Sequence, residues 1–201
     1  MLSHLTGLGL VAMTRILVGA RAQYHAPPAQ GQCVYFANHT SHLDTLAIWS
    51  ALPPDQRKHT RPVAARDYWG KPGLRQYLAG PVLNTVLIDR NRESSIDPLV
   101  PVIEALDQGS SLIFFPEGTR NSERLPQPFK GGLYRLAQQF SHVNFIPVYL
   151  DTLHRSLPKG SLVPIPLPIY CNVNFGPAIN LGEQTREDFL SQARLSVEAM
   201  A

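Results

Sequence analysis

The chain has 201 residues, of which 44% are hydrophobic and 16% charged, with a formal net charge of +3. This length suits one domain with a substantial core, and the composition excludes a disordered chain. The charge excess is too small to indicate a nucleic acid as partner. Cys33 and Cys171 form no C-x-x-C pair, which excludes a zinc ribbon and a thioredoxin-like redox motif.

The first element along the chain is an apolar N-terminal segment. On a helix over residues 1–20, small and polar residues share one arc and large apolar residues occupy the rest. The longest run without His or a charge covers residues 5–14, whereas a spanning helix needs about 20 residues. We predict a helical segment in 1–22 that either docks on the core or lies in a membrane interface with Arg15 at the headgroups. Residues 23–201 form the catalytic domain in this prediction.

Short strands and helices alternate along the rest of the chain. The β-rich runs predict strands at 32–37, 61–65, 83–88, 111–115, 144–150 and 168–175, and the helical patterns cover 43–51, 68–79, 95–108, 130–140 and 185–200. This alternation predicts a single α/β domain with a largely parallel central sheet flanked by helices. The proline-rich residues 157–170 predict an extended edge or loop.

Basic residues are concentrated in one part of the chain. Six Lys and Arg residues lie from Arg57 to Arg75, and Asp67 is the one acidic residue among them. Such a segment is typical of a surface that faces anionic lipid, a nucleotide phosphate or an acidic carrier protein, and equally of an ordinary solvated face.

Polar motifs follow three of the predicted strands, where ligands of such sheets bind. They are NHTSHLD at 38–44, IDRNR at 88–92 and PEGTRN at 116–121. The first motif matches neither the H-x-H-x-D-H nor the H-E-x-x-H metal pattern, and Ser41 lacks a nucleophile elbow. Two interpretations remain for the first motif: a helix-capping box of Ser41 and Asp44, and a catalytic pair of His39 and Asp44.

The catalytic interpretation requires His39 to lie in the turn before the helix. Asp44 could then reach back to one imidazole nitrogen, fix the tautomer and leave the other nitrogen as a general base. Cations at the other strand ends favour a phosphate-bearing substrate: Arg90 and Arg92, Arg120 after the Glu117-Gly118-Thr119 turn, and Lys130. Together these residues indicate a site that deprotonates a hydroxyl of a phosphorylated molecule.

The same motifs resemble those of the 1-acylglycerol-3-phosphate acyltransferases, a family of glycerolipid and lysophospholipid acyltransferases. The resemblance covers about residues 30–150 and rests on NHTSHLD (38–44), LIDR (87–90), FPEGTR (115–120) and, more weakly, IPVYL (146–150). Asn121 departs from the serine that many relatives have there. The resemblance implies that Asp44 holds His39, which takes the proton from the lysophospholipid hydroxyl. It also implies acceptor or phosphate binding by Arg90, Glu117, Gly118, Thr119 and Arg120, to which we add Lys130 from its charge and position.

The resemblance further implies acyl transfer from acyl-CoA or acyl-carrier protein to a lysophospholipid. We expect 1-acyl-glycerol-3-phosphate as acceptor and phosphatidic acid as product, with no metal and no cofactor. The alternatives are another lysolipid acceptor, such as a lyso-ornithine lipid or a remodelled lysophospholipid, a thioester hydrolase, and a silent lipid-binding protein. Because the substrate is a lipid, we expect peripheral or monotopic attachment to an anionic membrane surface at the cytoplasmic face.

Overall fold

One seven-stranded sheet organises the chain in the computed structural model, which describes residues 2–89, 97–151 and 171–201. The strands are β1 (Arg21–Tyr24), β2 (Cys33–Ala37), β3 (Thr60–Ala65), β4 (Val86–Ile88), β5 (Ser111–Phe114), β6 (Asn144–Leu150) and β7 (Asn172–Phe175). Their spatial order is β1-β7-β6-β2-β5-β3-β4. Neighbouring strands are parallel except for β6 and β7, which are antiparallel. The predicted α/β fold with a largely parallel sheet is confirmed.

The helices connect or follow these strands. They are α1 (Leu2–Leu17), α2 (Asp44–Ala51), α3 (Pro54–Arg57), α4 (Arg66–Trp69), α5 (Leu74–Tyr77), α6 (Val100–Asp107), α7 (Gly132–Gln139) and α8 (Arg186–Glu198), with a turn of π-helix at Leu78–Val82. The helix predicted at 68–79 is divided in two, because Gly73 has φ +100° and cannot continue a helix. Strand β1 was not predicted, since its sequence RAQY is short, polar and exposed.

The two faces of the sheet carry separate apolar clusters. In β2 the side chains of Cys33, Tyr35 and Ala37 pack in the cluster that includes residues of α1 and α2. Val34 and Phe36 point the other way, into the cluster that includes residues of α6, α7 and α8. This alternation follows from the two-residue period of a strand, and it makes β2 a strand buried on both faces.

Three adjacent strands end at one edge of the sheet. Because β2 is parallel to both β5 and β6, the residues after Ala37, Phe114 and Leu150 emerge side by side. Asn38 is buried there, and its side-chain amide donates to the Leu150 carbonyl (3.1 Å) and accepts from the Leu150 N–H (2.8 Å). These two bonds join the ends of β2 and β6 and hold the start of the first polar motif in place.

Helix α1 docks on the core through two small residues and two apolar ones. Gly7, Leu10, Val11 and Thr14 are buried against the rest of the chain, and a Cβ on Gly7 would lie 3.5 Å from the Trp49 ring. The large apolar residues of α1 point outward: Leu2, Leu5, Leu8, Met13, Ile16 and Leu17 are all about half exposed or more. The buried side therefore combines Gly7 and Thr14 of the polar arc with Leu10 and Val11, and the six large apolar residues face away from the protein.

Arg15 does not extend toward the outward face of α1. Its Nε and Nη2 donate to the Ser50 carbonyl at the end of α2, at 3.2 and 2.8 Å. A cation at this position is favourable because the last carbonyls of a helix lack partners and carry partial negative charge. Arg15 therefore caps α2 in this structure, and its contact with lipid headgroups stays a prediction.

Candidate active site

His39 and Asp44 form a hydrogen-bonded pair at the carboxyl edge of the sheet. The His39 Nδ1 and Asp44 Oδ2 atoms lie 2.8 Å apart, with His39 in the turn before α2 and Asp44 as the first residue of that helix. The Asp44 carboxylate is fully buried, whereas one-fifth of the His39 side chain is exposed. Since a carboxylate accepts hydrogen bonds, Nδ1 carries the proton and Nε2 is the basic nitrogen.

Asp44 also organises the turn that carries His39. Its Oδ2 accepts the N–H groups of Thr40 (2.7 Å) and Ser41 (2.8 Å). The bond from the Ser41 N–H to Asp44 is one half of the predicted capping box, but the Ser41 Oγ accepts from the Leu43 N–H instead of the Asp44 N–H. One carboxylate therefore holds both the turn and the imidazole, as each interpretation requires, and the catalytic role of the pair stays a prediction.

The His39 ring lies against an aromatic side chain. Phe115, the residue after β5, stacks on it with ring centroids 4.1 Å apart and planes inclined by 19°. The bond to Asp44 and the stacking on Phe115 together restrict rotation of the imidazole ring. The base is thus oriented before any substrate binds.

The loop after β5 holds the backbone of His39 from both sides. Glu117 Oε1 accepts the His39 N–H (2.7 Å), and the Asn121 N–H donates to the His39 carbonyl (2.9 Å). Glu117 Oε2 accepts the Gln127 N–H (3.0 Å) and a short hydrogen bond from the Asn121 side-chain amide. Asn121 therefore contributes a side-chain contact as well as a backbone one.

Glu117 was expected to bind substrate, and the structure gives its carboxylate a different set of partners. The residue is 3% exposed, and both oxygens accept hydrogen bonds from protein donors. Burial raises the pKa of Glu117, while its hydrogen bonds to Gln127, Asn121 and His39 oppose that rise. An anion in this position would also repel a phosphate, so its contacts suit it to hold the loop.

The other predicted residues of this loop differ in their contacts and exposure. Gly118 has φ +71°, and a Cβ built on it would lie 2.6 Å from the Lys130 ammonium, so the loop backbone passes directly under that cation. Thr119 is exposed. Arg120 Nη1 is buried and has no hydrogen-bond partner within the described residues. Arg90 lies outside the residues that the structure describes.

A stack of side chains extends from the first polar motif. His42 stacks on Tyr68 with centroids 5.4 Å apart, and the Arg75 guanidinium lies 4.2 Å from the centre of the Tyr68 ring. Burial, followed by the positive charge of Arg120, lowers the pKa of His42. His42 is therefore neutral over a wider pH range than an ordinary histidine. Stacking residues at different chain positions leave no local sequence signal.

Metal ligands are not assembled here. Across residues 2–89, 97–151 and 171–201, no three His, Cys, Asp or Glu side chains form a group that could hold a metal ion. The arrangement instead provides a base with a fixed tautomer, a buried unpaired guanidinium nitrogen and a lysine ammonium. These groups can deprotonate a hydroxyl and bind an anion.

Comparisons with known proteins agree with this chemistry. The family model described as Acyltransferase matches residues 21–151. The 1-acyl-sn-glycerol-3-phosphate acyltransferase alpha of Ovis aries is 36% identical over 141 residues, which cover 68% of this chain and 46% of that protein. The 1-acyl-sn-glycerol-3-phosphate acyltransferase of Limnanthes alba is 31% identical over 156 residues, covering 77% of this chain and 52% of that protein. The chain thus spans about half the length of these curated relatives.

A solved structure supports the fold. The 1-acyl-sn-glycerophosphate (LPA) acyltransferase PlsC of Thermotoga maritima superposes with a TM-score of 0.75 at 20% identity, covering 97% of this chain and 76% of that one. The family match extends over more than half of the chain and includes every site residue described above. The chain therefore belongs to the acyltransferase family, with 1-acylglycerol-3-phosphate acyltransferases among its relatives.

Proposed function

We propose that the chain transfers a fatty acyl group from acyl-CoA or acyl-carrier protein to the free hydroxyl of 1-acyl-glycerol-3-phosphate, giving phosphatidic acid. The observation that carries the proposal is the 2.8 Å bond between His39 Nδ1 and the buried Asp44 carboxylate, which leaves Nε2 as a base at an open edge. The names of the relatives supply the acceptor.

The proposed reaction needs no nucleophile from the protein. His39 Nε2 takes the hydroxyl proton as the acceptor oxygen attacks the thioester carbonyl carbon. The tetrahedral intermediate then collapses, the carbon–sulfur bond breaks, and the imidazolium returns the proton to the departing thiolate. Asp44 stabilises the imidazolium between these two steps, because its carboxylate accepts the Nδ1 proton throughout.

Binding of the acceptor phosphate is proposed for the cations of the β5 loop. Arg120 presents a buried Nη1 without a partner among the described residues, and Lys130 lies over Gly118. A guanidinium left unpaired inside a protein is costly unless an anion satisfies it. We assign Arg120 and Lys130 to the phosphate, with Gly118 and Thr119 as the turn that places them. Arg90 is proposed as a further phosphate ligand from its motif alone. Glu117 is proposed as a positioning residue for His39.

Attachment to a membrane surface is proposed through the outward face of α1. Among the described residues, no helix combines the length and apolar character that crossing a bilayer requires. Six large apolar side chains of α1 nevertheless face away from the protein, and a helix with this arrangement is stabilised in the interfacial zone of a bilayer. Since both proposed donors are cytoplasmic molecules, we propose peripheral or monotopic association with the cytoplasmic face, aided by the basic residues 57–75. Residues 1–22 would be the associating segment of a catalytic domain at 23–201.

Thiol release from acyl-CoA, measured with and without each candidate lysolipid, tests the proposed reaction. Release that depends on 1-acyl-glycerol-3-phosphate and yields phosphatidic acid supports the proposal. Equal release with water alone identifies a thioester hydrolase, and release that requires a lyso-ornithine lipid or another lysophospholipid identifies a different acceptor. A complete absence of release with acyl-CoA and acyl-carrier protein would indicate a silent lipid-binding protein.

The Arg120 assignment has its own test. Arg120→Ala should raise the KM for 1-acyl-glycerol-3-phosphate by about 10–100-fold with little change in the KM for the donor, because a charged forked contact is lost. Arg194→Ala is the matched control, since Arg194 pairs with Glu198 on α8. Equal increases in the two KM values would remove Arg120 from the acceptor site.

A further inference from the structure

A second cationic cavity lies at the opposite end of the sheet from His39. Its volume is about 330 Å³, and it is lined by the start of α1, the end of α2, residues 54–61 and residues 81–84. Thr60 begins β3 and pairs with Ser111, the first residue of β5, so this region adjoins the amino end of the parallel strands. His39 follows the carboxyl end of β2, which is parallel to β5. The two places are therefore separated by the length of the sheet.

Arg57 is the buried cation of this cavity. It is 9% exposed, stacks over the Trp49 ring at 5.5 Å, and its Nη2 donates to the carbonyls of Leu52 (2.8 Å) and Ser50 (3.5 Å). Its Nε is also buried but has no hydrogen-bond partner in the described part of the chain. Capping of α2 explains the contacts of Nη2 and leaves Nε unexplained, although an unpaired buried donor costs free energy.

Further cations converge on the same cavity without acidic residues to balance them. Lys58 and Arg61 line it, and its described lining contains no Asp or Glu. Lys58 does pair with Asp55, but that carboxylate is 93% exposed, so the pair is weak. Arg61 donates its Nε to the Asn84 carbonyl. Burial, and then the charge of Arg15, lowers the pKa of Arg57, and burial lowers that of Arg61, because removal from water disfavours the charged form.

The remaining lining mixes polar residues with an apolar part that continues onto the outward face of α1. Leu8 lines the cavity and is 51% exposed, and Val82 and Trp49 lie opposite. An occupant that satisfies both parts has an anionic head for Arg57, Lys58 and Arg61 and an apolar tail for Leu8. We propose that this cavity binds the phosphate of an anionic phospholipid, as a site separate from the one that holds the acceptor.

Trp49 provides a direct reporter of this site. The chain has two tryptophans, Trp49 and Trp69, so Trp69→Phe leaves Trp49 as the one fluorophore of this kind. Monomeric dihexanoyl-phosphatidylglycerol is titrated into this full-length variant, and the Kd is measured by Trp49 emission and by calorimetry. A short-chain monomer avoids membrane association of α1, and phosphatidylglycerol is not the product of the proposed reaction. We expect saturable binding of dihexanoyl-phosphatidylglycerol. Dihexanoyl-phosphatidylcholine and inorganic phosphate should bind with a much higher Kd.

Charge substitutions distinguish a specific phospholipid site from nonspecific electrostatic attraction to the basic segment. Lys58→Gln combined with Arg61→Gln should weaken binding at least about tenfold, since two charged contacts are lost. Arg57 is left intact because it also caps α2. Lys71→Gln removes a charge from the same basic segment outside the cavity and should change the Kd less than about twofold. Arg120→Ala should leave it unchanged, which separates this site from the proposed acceptor site.

Several results would overturn the proposal. They are an unchanged Kd in the Lys58 and Arg61 double variant, an equal loss with Lys71→Gln, or the absence of binding by both methods. Equal affinity for phosphatidylcholine would show an apolar groove without charge selectivity, and equal affinity for inorganic phosphate would show a site for the free anion. Loss of binding in Arg120→Ala alone would assign the lipid to the active site.

Discussion

The loop at residues 38–44 buries polar side chains, whereas helix α1 exposes apolar ones. The loop places polar groups inside the protein, and Asn38 and Asp44 are nearly or fully buried with hydrogen bonds to backbone groups and to His39. Helix α1 places apolar groups outside, and Leu2 and Ile16 are 72% and 81% exposed. Most polar groups of the loop are hydrogen-bonded within the chain, although Thr40 Oγ1 and Asp44 Oδ1 are buried without a partner among the described residues, whereas α1 leaves large apolar side chains exposed. The loop thus suits the proposed chemistry, and α1 suits the proposed membrane attachment.

Replacing the proposed base, His39, is expected to have the largest effect on activity. An unchanged kcat would contradict a chemical role of the loop. His39→Ala should lower kcat by about 10²–10⁴-fold, because proton removal from the hydroxyl is lost. Its thermal unfolding should change little, since the ring is partly exposed. His42→Ala, which removes the neighbouring imidazole, serves as the control and should be much milder. Similar losses in both variants, restored by added zinc, would contradict the assignment and favour a metal site.

Removing the charge of Asp44 tests whether the loop is internally complete. Asp44→Asn should lower kcat by at least about 100-fold, because an amide no longer fixes the Nδ1–H tautomer or stabilises the imidazolium. It should also lower the melting temperature, since one carboxylate oxygen accepts the N–H groups of Thr40 and Ser41. Activity and thermal unfolding are measured on the same preparation. A variant with normal kcat would show that Asp44 only caps α2.

Polar substitutions on α1 test the other half of the comparison. Leu5→Gln with Ile16→Gln should reduce partitioning onto anionic vesicles by about 10–100-fold, since each side chain loses part of its transfer free energy. Leu195→Gln on α8 is the matched control, because Leu195 is 53% exposed on a helix whose buried stripe is Phe189, Ala193 and Val197. Sedimentation with vesicles measures both. Equal binding by the double variant and the parent would refute the interfacial role of α1.

Point substitutions test the role of α1 in vesicle binding more clearly than truncation does. Deleting α1 would also remove Leu10 and Val11 from the core, so weaker vesicle binding could follow from unfolding. High salt should release part of the bound protein by screening the basic residues 57–75, while the apolar contribution of α1 persists. Salt-independent binding would remove that basic segment from the surface in contact with lipid.

The smallest expected effect concerns the support behind His39. Glu117→Gln should lower kcat about tenfold with unchanged KM values. The glutamine oxygen can accept one of the two backbone N–H groups, but its NH₂ group would face the other N–H and lose that hydrogen bond. Glu123→Gln is the control on the same loop, since Glu123 is exposed. A rise in the acceptor KM without a change in kcat would restore Glu117 to substrate binding.

The sequence predicted the elements whose signal is local. Alternating apolar runs predicted six strands of the described sheet, and the spacing of His39 and Asp44 predicted their pairing. Contacts between residues far apart in the chain could not be predicted from the sequence. Asn38 bonds to Leu150 and Glu117 bonds to His39, and no local residue pattern indicates either contact. The orientation of α1 was also hidden, because a helical wheel does not show that Gly7 permits close approach to Trp49.

Hydrogen exchange should distinguish the loop around His39 from ordinary loops. The N–H groups of His39, Thr40, Ser41 and Asn121 lie outside helices and strands, yet each is hydrogen-bonded within this unit, three of them to the buried carboxylates of Glu117 and Asp44. Amides in loops usually exchange through small local openings. Here one opening would have to release both carboxylates and the ends of two strands together. These amides should therefore exchange at the slow rate of the central strands, and the base should keep its position until the domain itself unfolds.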